Sequence, residues 1–164
     1  MVFARNKLVI QDDLFSPRPR MNIDFSGKSP QKFYKEIPKL ISTVFRVHSN
    51  TVQEKKFVMQ KGDPEKFKAE WEIIKDVDKF SYYKIDVSLS GESSRGHGHA
   101  AIVVSGILRT EYPQDTIWER SLFYEIMRMF WHGIFYTSKR QRYMNDGQQL
   151  ISLFVDDLKE LTRV

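Results

Sequence analysis

The chain has 164 residues, 41% hydrophobic and 29% charged, with a formal net charge of +5. That length suits one domain with a real core, and the composition is that of globular proteins rather than disordered or fibrous ones. There is no cysteine, which excludes disulfides, thiol catalysis and cysteine-held metal; the basic balance favours nucleic acid, anionic lipid or acidic partners without choosing among them.

The first residues, MVFARNKLVIQDDLF, hold too short an apolar stretch for a signal peptide, and acidic residues follow at once. The most apolar segment, Leu122 to Tyr136, is interrupted by Glu125, Arg128 and His132, so no uncharged run is long enough to span a bilayer. A soluble, cytoplasmic protein is expected.

In chain order, residues 1–20 read as an irregular segment in which Lys7 to Ile10 could form a short strand. Ser16 to Arg20 (SPRPR) is a stiff connector, since proline fixes φ and restricts the residue before it. Met21 to Phe25 alternates weakly and predicts a strand. Ser29 is placed as a helix N-cap, with Pro30 at the first helical position. Phe33, Ile37, Leu40, Ile41, Val44 and Phe45 then form one apolar stripe at spacings of three and four. Pro38 inside that stripe predicts a kink, or two short helices meeting near Ile37.

The period next changes to two. Thr51 to Lys61 predicts a strand, and KGDPEK (61–66) a hairpin turn. Phe67, Ala69, Trp71 and Ile73 alternate with charged residues, as a half-buried strand requires. KDVDK (75–79) makes a turn, and Tyr83, Ile85, Val87 and Leu89 face one way on the next strand. SGESSRG (90–96) reads as a turn before a strand from His97 to Arg109. Four strands joined by short polar turns form an antiparallel meander.

PQDT (113–116) ends the sheet, and Asp115 or Thr116 can cap a helix. From Ile117 to Tyr136 apolar residues cover well over half the helix circumference, which predicts burial on several sides. Asp146-Gly147 reads as a break. Leu150, Phe154, Leu158 and Leu161 then mark a last amphipathic helix over 147–163. The expected fold is a single α+β domain over 1–164. Its core (21–136) is a curved antiparallel sheet packed on a long C-terminal helix, followed by an extra C-terminal helix.

FSGKSPQKFYKEIPKLI (25–41), the meander and the long helix together resemble the SRPBCC or START-like helix-grip superfamily. The likeness covers about residues 21–136. It implies a cavity between sheet and long helix that takes apolar small molecules or lipids, and some members are cyclases or hydrolases. The extra helix departs from that pattern, and no catalytic residue can be carried over.

The site candidates follow from this reading. Trp71, Tyr124, Met127, Arg128, Trp131, His132 and Phe135 are the expected lining of an apolar pocket with a few polar groups; the alternatives are simple core and an oligomer face. His97 and His99 share one strand face and could contact a ligand or, with Glu92 or Asp86, a metal. No metal site or cofactor is assigned. Lys139, Arg140 and Arg142, between Tyr136 and Tyr143, could meet nucleic-acid phosphates. There is no GxSxG, HExxH or Ser-His-Asp grouping, so an enzyme would have to assemble its site from distant residues. The leading expectation is binding of an apolar or amphipathic small molecule. A basic nucleic-acid-binding or assembly module is the alternative, and a metal-dependent enzyme ranks third.

Overall fold

A computed structural model of the chain describes residues 8–112 and 122–163. Its six strands are β1 (Leu8–Asp13), β2 (Met21–Lys28), β3 (Val52–Gln60), β4 (Glu65–Asp76), β5 (Ser81–Ser94) and β6 (His97–Tyr112). Its helices are α1 (Lys32–Phe45), α2 (Leu122–Trp131) and α3 (Thr137–Arg163), with a π turn, His132–Tyr136, joining the last two. The strands form one open antiparallel sheet in the order β1-β6-β5-β4-β3, and β2 continues along the free edge of β6 beyond β1. An α+β fold with an antiparallel sheet and a long C-terminal helix is thus as the sequence pattern predicts.

Alternation decides which face is covered. Phe67, Ala69, Trp71 and Ile73 of β4 are buried on the helix-covered side, as are Tyr83, Ile85, Val87 and Leu89 of β5 and Ala100, Ile102, Val104 and Leu108 of β6. The β5–β6 hairpin closes more tightly than SGESSRG suggested. Ser94 pairs with His97, so only Arg95 and Gly96 turn, both at positive φ. That is the two-residue geometry favoured in hairpins.

α1 runs unbroken through Pro38, so of the two alternatives expected there, a kink or two short helices, the second is excluded. Phe33, Ile37, Ile41, Val44 and Phe45 are buried on both sides of the proline. At about 1.5–3 kcal/mol per buried large side chain, this outweighs the roughly 3 kcal/mol that an interior proline costs. Ser29 does not cap α1 through its side chain. It adopts positive φ, and its carbonyl accepts from Lys32 N at 3.0 Å. The first 20 residues are also less irregular than expected, since β1 pairs with β6 from Leu8↔Tyr112 to Asp13↔Ile107.

The largest difference lies in the C-terminal third. Asp146-Gly147 is no break: the helical run is continuous from Leu122 to Arg163. A Cβ on Gly147 would stand 2.7 Å from the Tyr83 ring and 2.9 Å from Leu14, so the glycine allows close approach rather than ending a helix. The half that packs on the sheet is the later one, through Ile151, Phe154, Val155 and Leu158. Phe154 meets Phe45 of α1 at 5.2 Å between ring centres. The apolar half that the sequence placed against the sheet faces outward. The capping residues expected at 115 and 116, and Trp118, lie outside the described residues.

Candidate docking surface

α2 and the π turn carry their polarity inside out. Phe123, Ile126, Met127, Met129, Phe130, Trp131, Ile134 and Phe135 are each between 51% and 67% exposed. Arg128, in their midst, is buried, as are Tyr136 and Arg140 further along. A helix packed on an apolar core shows the opposite arrangement. The π turn contributes to this. Its looser winding brings Tyr136, eight residues after Arg128, back towards the side Arg128 occupies, and from there Arg140, Gly147, Ile151 and Leu158 continue one buried seam.

Polar contacts hold the seam. Arg140 donates through Nε and Nη2 to Asp12 Oδ2 of β1 at 3.0 and 2.8 Å. It also donates to Thr110 Oγ1 and to the carbonyls of Leu108 and Ile10 at 3.2 and 3.3 Å. A buried guanidinium needs such acceptors, because desolvation without them is very costly. One helical turn earlier, Tyr136 Oη lies 2.7 Å from Ser81 Oγ, which lies 2.7 Å from Thr110 Oγ1.

Asp78, in the β4–β5 turn, is the second anchor. Its Oδ1 accepts from the backbone N–H groups of Phe80 and Ser81, both at 2.8 Å. Its Oδ2 accepts from Tyr136 and Tyr143 hydroxyls at 3.0 Å each and pairs with Lys139 at 3.2 Å. Burial pulls this carboxyl upward, but the donors from Phe80, Lys139, Ser81 and Tyr143 outweigh it and hold it below its ordinary value. Burial pushes the Tyr136 phenol up to about 12, with Asp78 adding to the shift, so it remains a donor at any ordinary pH.

Arg128 closes the seam at its N-terminal end. Its Nη2 lies 3.3 Å from Glu125, and its guanidinium sits 5.8 Å from the centre of the Tyr112 ring. Among the described residues its Nε and Nη1 meet no hydrogen-bond partner.

The expected pocket residues do not converge. Trp71 is core, beneath the ring of Tyr34 at 5.9 Å. Its partner Val87 stands six residues along β5 from Ser81, which touches Tyr136. At the rise of a strand that is about 20 Å. Met127, Trp131 and Phe135 face outward, Tyr124 is half-buried, Arg128 is buried, and the side chain of His132 lies outside the described residues. The face between sheet and helices is filled by Phe33, Phe45, Phe154, Ile37 and Leu158, all fully buried. An open hollow of about 170 Å³ lies elsewhere, between Phe80 and the outward Trp131 and Phe135.

The other candidates separate too. Arg140 is committed inside the protein and Lys139 to Asp78, and among the described residues Arg142 alone of the basic trio faces solvent without such an anchor. His97 and His99 are exposed on the uncovered sheet face, where His99 Nε2 lies 3.8 Å from Glu92. Among the described residues no group of three or more His, Cys, Asp or Glu is arranged to hold a metal, and no helix is long and apolar enough to cross a membrane.

Sequence reasoning missed the anchors Asp12, Asp78, Ser81 and Thr110. The one usable signal was the spacing Tyr136, Arg140, Gly147, Ile151, Leu158, which marks a single helix side running through the supposed break. Compared with known proteins, the chain matches no family model and no curated protein.

Proposed function

We propose that the chain is an assembly module whose working part is the outward face of α2 and the π turn. The observation that carries this is the reversed polarity: eight large apolar side chains in water around a buried arginine. Large side chains bring about 150–250 Å² each. At half to two-thirds exposure, eight of them offer roughly 800 Å², more than the roughly 300–600 Å² of the largest apolar patch on a typical monomer. A solvent-facing surface of that size is stabilised by being covered.

Hydrogen–deuterium exchange tests this. Protection over 122–136 should rise with protein concentration or on adding lipid vesicles, and Phe130→Glu should abolish the rise. Exchange that is unchanged under every condition would remove the reading.

A second reading keeps the small-molecule expectation and moves it. The hollow bordered by Phe80, Trp131, Phe135 and Tyr136, with Lys79 and Lys139 at its rim, suits an apolar group. Its volume is below the roughly 300–1,000 Å³ of drug-sized sites, so the occupant would be one ring or a short stretch of acyl chain. Displacement of a fluorescent fatty acid, lost in Phe135→Ser, checks this.

A further inference from the structure

We infer that the partner covering this surface is a second copy of the chain, with the two helices α2 packed antiparallel about a two-fold axis; this rests on the docking reading above. The spacing of the exposed side chains fits a copy of the same helix. Phe123, Met127, Phe130 and Ile134 follow one another at intervals of four, three and four residues, and all four are more than half exposed. That interval set is the seam by which helices interlock side chain into gap. It is also a palindrome. Reversing the helix direction gives the same spacing, so an identical helix running the other way presents a matching seam. About an axis between residues 128 and 129, Phe123 of one copy meets Ile134 of the other, and Met127 meets Phe130. Each contact occurs twice, as a closed two-fold interface requires.

Area and composition agree with this partner. The roughly 800 Å² exposed on one copy is of the size that each side of a standard stable interface contributes, and the four seam residues hold about half of it. Among the described residues no helix is long and apolar enough to cross a membrane, and the apolar stretch is interrupted by Glu125, Arg128 and His132. The buried seam of Arg128, Tyr136 and Arg140 fixes the helix to its own sheet, so the apolar side is held in position before any partner arrives. Pre-ordering of that kind lowers the entropy lost on association. Antiparallel packing also sets the two helix dipoles in opposition.

Charge complementation tests partner and register together. Sedimentation velocity of the full chain should show a concentration-dependent dimer. Phe123→Glu alone and Ile134→Lys alone should each weaken it about tenfold or more, since charge enters an apolar contact twice. Circular dichroism, and the denaturation midpoint measured at dilutions where the wild type is monomeric, should stay unchanged in both, because neither side chain is core. Mixing the two variants should restore a heterodimer, in which the new carboxylate faces the new ammonium on one side and the native pair remains on the other. A wild-type chain that stays monomeric at high concentration overturns the inference; so do a dimer that survives both substitutions and a mixture that stays monomeric. If the monomer's 122–136 exchange is slowed by vesicles, the second copy is wrong and the docking surface stands. If nothing slows it, both fall.

Discussion

The two halves of the C-terminal helical run obey opposite rules. From Gly147 onward, Ile151, Phe154, Val155 and Leu158 are buried and the polar residues between them face water. From Phe123 to Phe135 the apolar residues face water, and the buried seam nearby is made by Arg128, Tyr136 and Arg140. One continuous backbone therefore serves two surroundings. Apolar content shows that a segment will be covered by something. Which side faces home depends on the partners its polar residues find, here Asp12, Asp78, Ser81 and Thr110.

That contrast can be broken most forcefully at matched phenylalanines. Phe154→Ala should cost about 3–5 kcal/mol, the usual loss for a buried phenylalanine. Phe130→Ala should leave the monomer within about 0.5 kcal/mol of wild type, as surface changes do. Urea denaturation at low protein concentration checks both. The polar seam comes next. Asp12→Ala leaves the buried guanidinium of Arg140 without its counter-charge and should cost about 3 kcal/mol. Arg140→Met should cost less, because the Asp12 side chain is 53% exposed and can be rehydrated. The reverse ranking would mean that Arg140 acts by filling space rather than by pairing.

Two glycines sharpen the comparison further. Gly147→Ala forces a methyl against Tyr83 and Leu14 and should cost about 1–3 kcal/mol. A Cβ at Gly133 meets nothing within 4 Å, so Gly133→Ala should stabilise the monomer by up to about 1 kcal/mol through helix propensity. The smallest effect follows from pH. Asp78 has a folded-state value below its ordinary 3.8. Its contribution is fully present above that value and is lost as pH falls through the lower folded one. Acid should therefore loosen the link between the π turn and the β4–β5 turn, seen as faster exchange over 132–143, and Asp78→Asn should remove that pH dependence.

Much of the sheet could be read in the sequence, because strict alternation in β4 and β5 leaves one choice of face. The strands from Val52 to Tyr112 and the stripe of α1 follow from periodicity alone. The C-terminal run did not yield, for three physical reasons. Gly147 resembles a stop, yet it is a contact with Tyr83. The π turn changes helix phase locally, so a uniform 3.6 period misplaces Tyr136 relative to Arg128. The acceptors for Arg140 and Tyr136 lie about 130 and 55 residues away in the chain, where local pattern carries no information. The pocket expectation joined Trp71 to Trp131 on apolarity, and the fold puts them at different levels of the sheet.

The outward surface exists only if the apolar half of this helix lies outside the monomer's core. The most direct measurement is the unfolding free energy of the Ile126→Glu, Phe130→Glu double variant at dilution. It should match wild type within about 1 kcal/mol, with helix content and cooperativity retained, as surface substitutions allow. A loss of several kcal/mol, or of cooperative unfolding altogether, would show that those side chains are buried at home and that the outward surface does not exist.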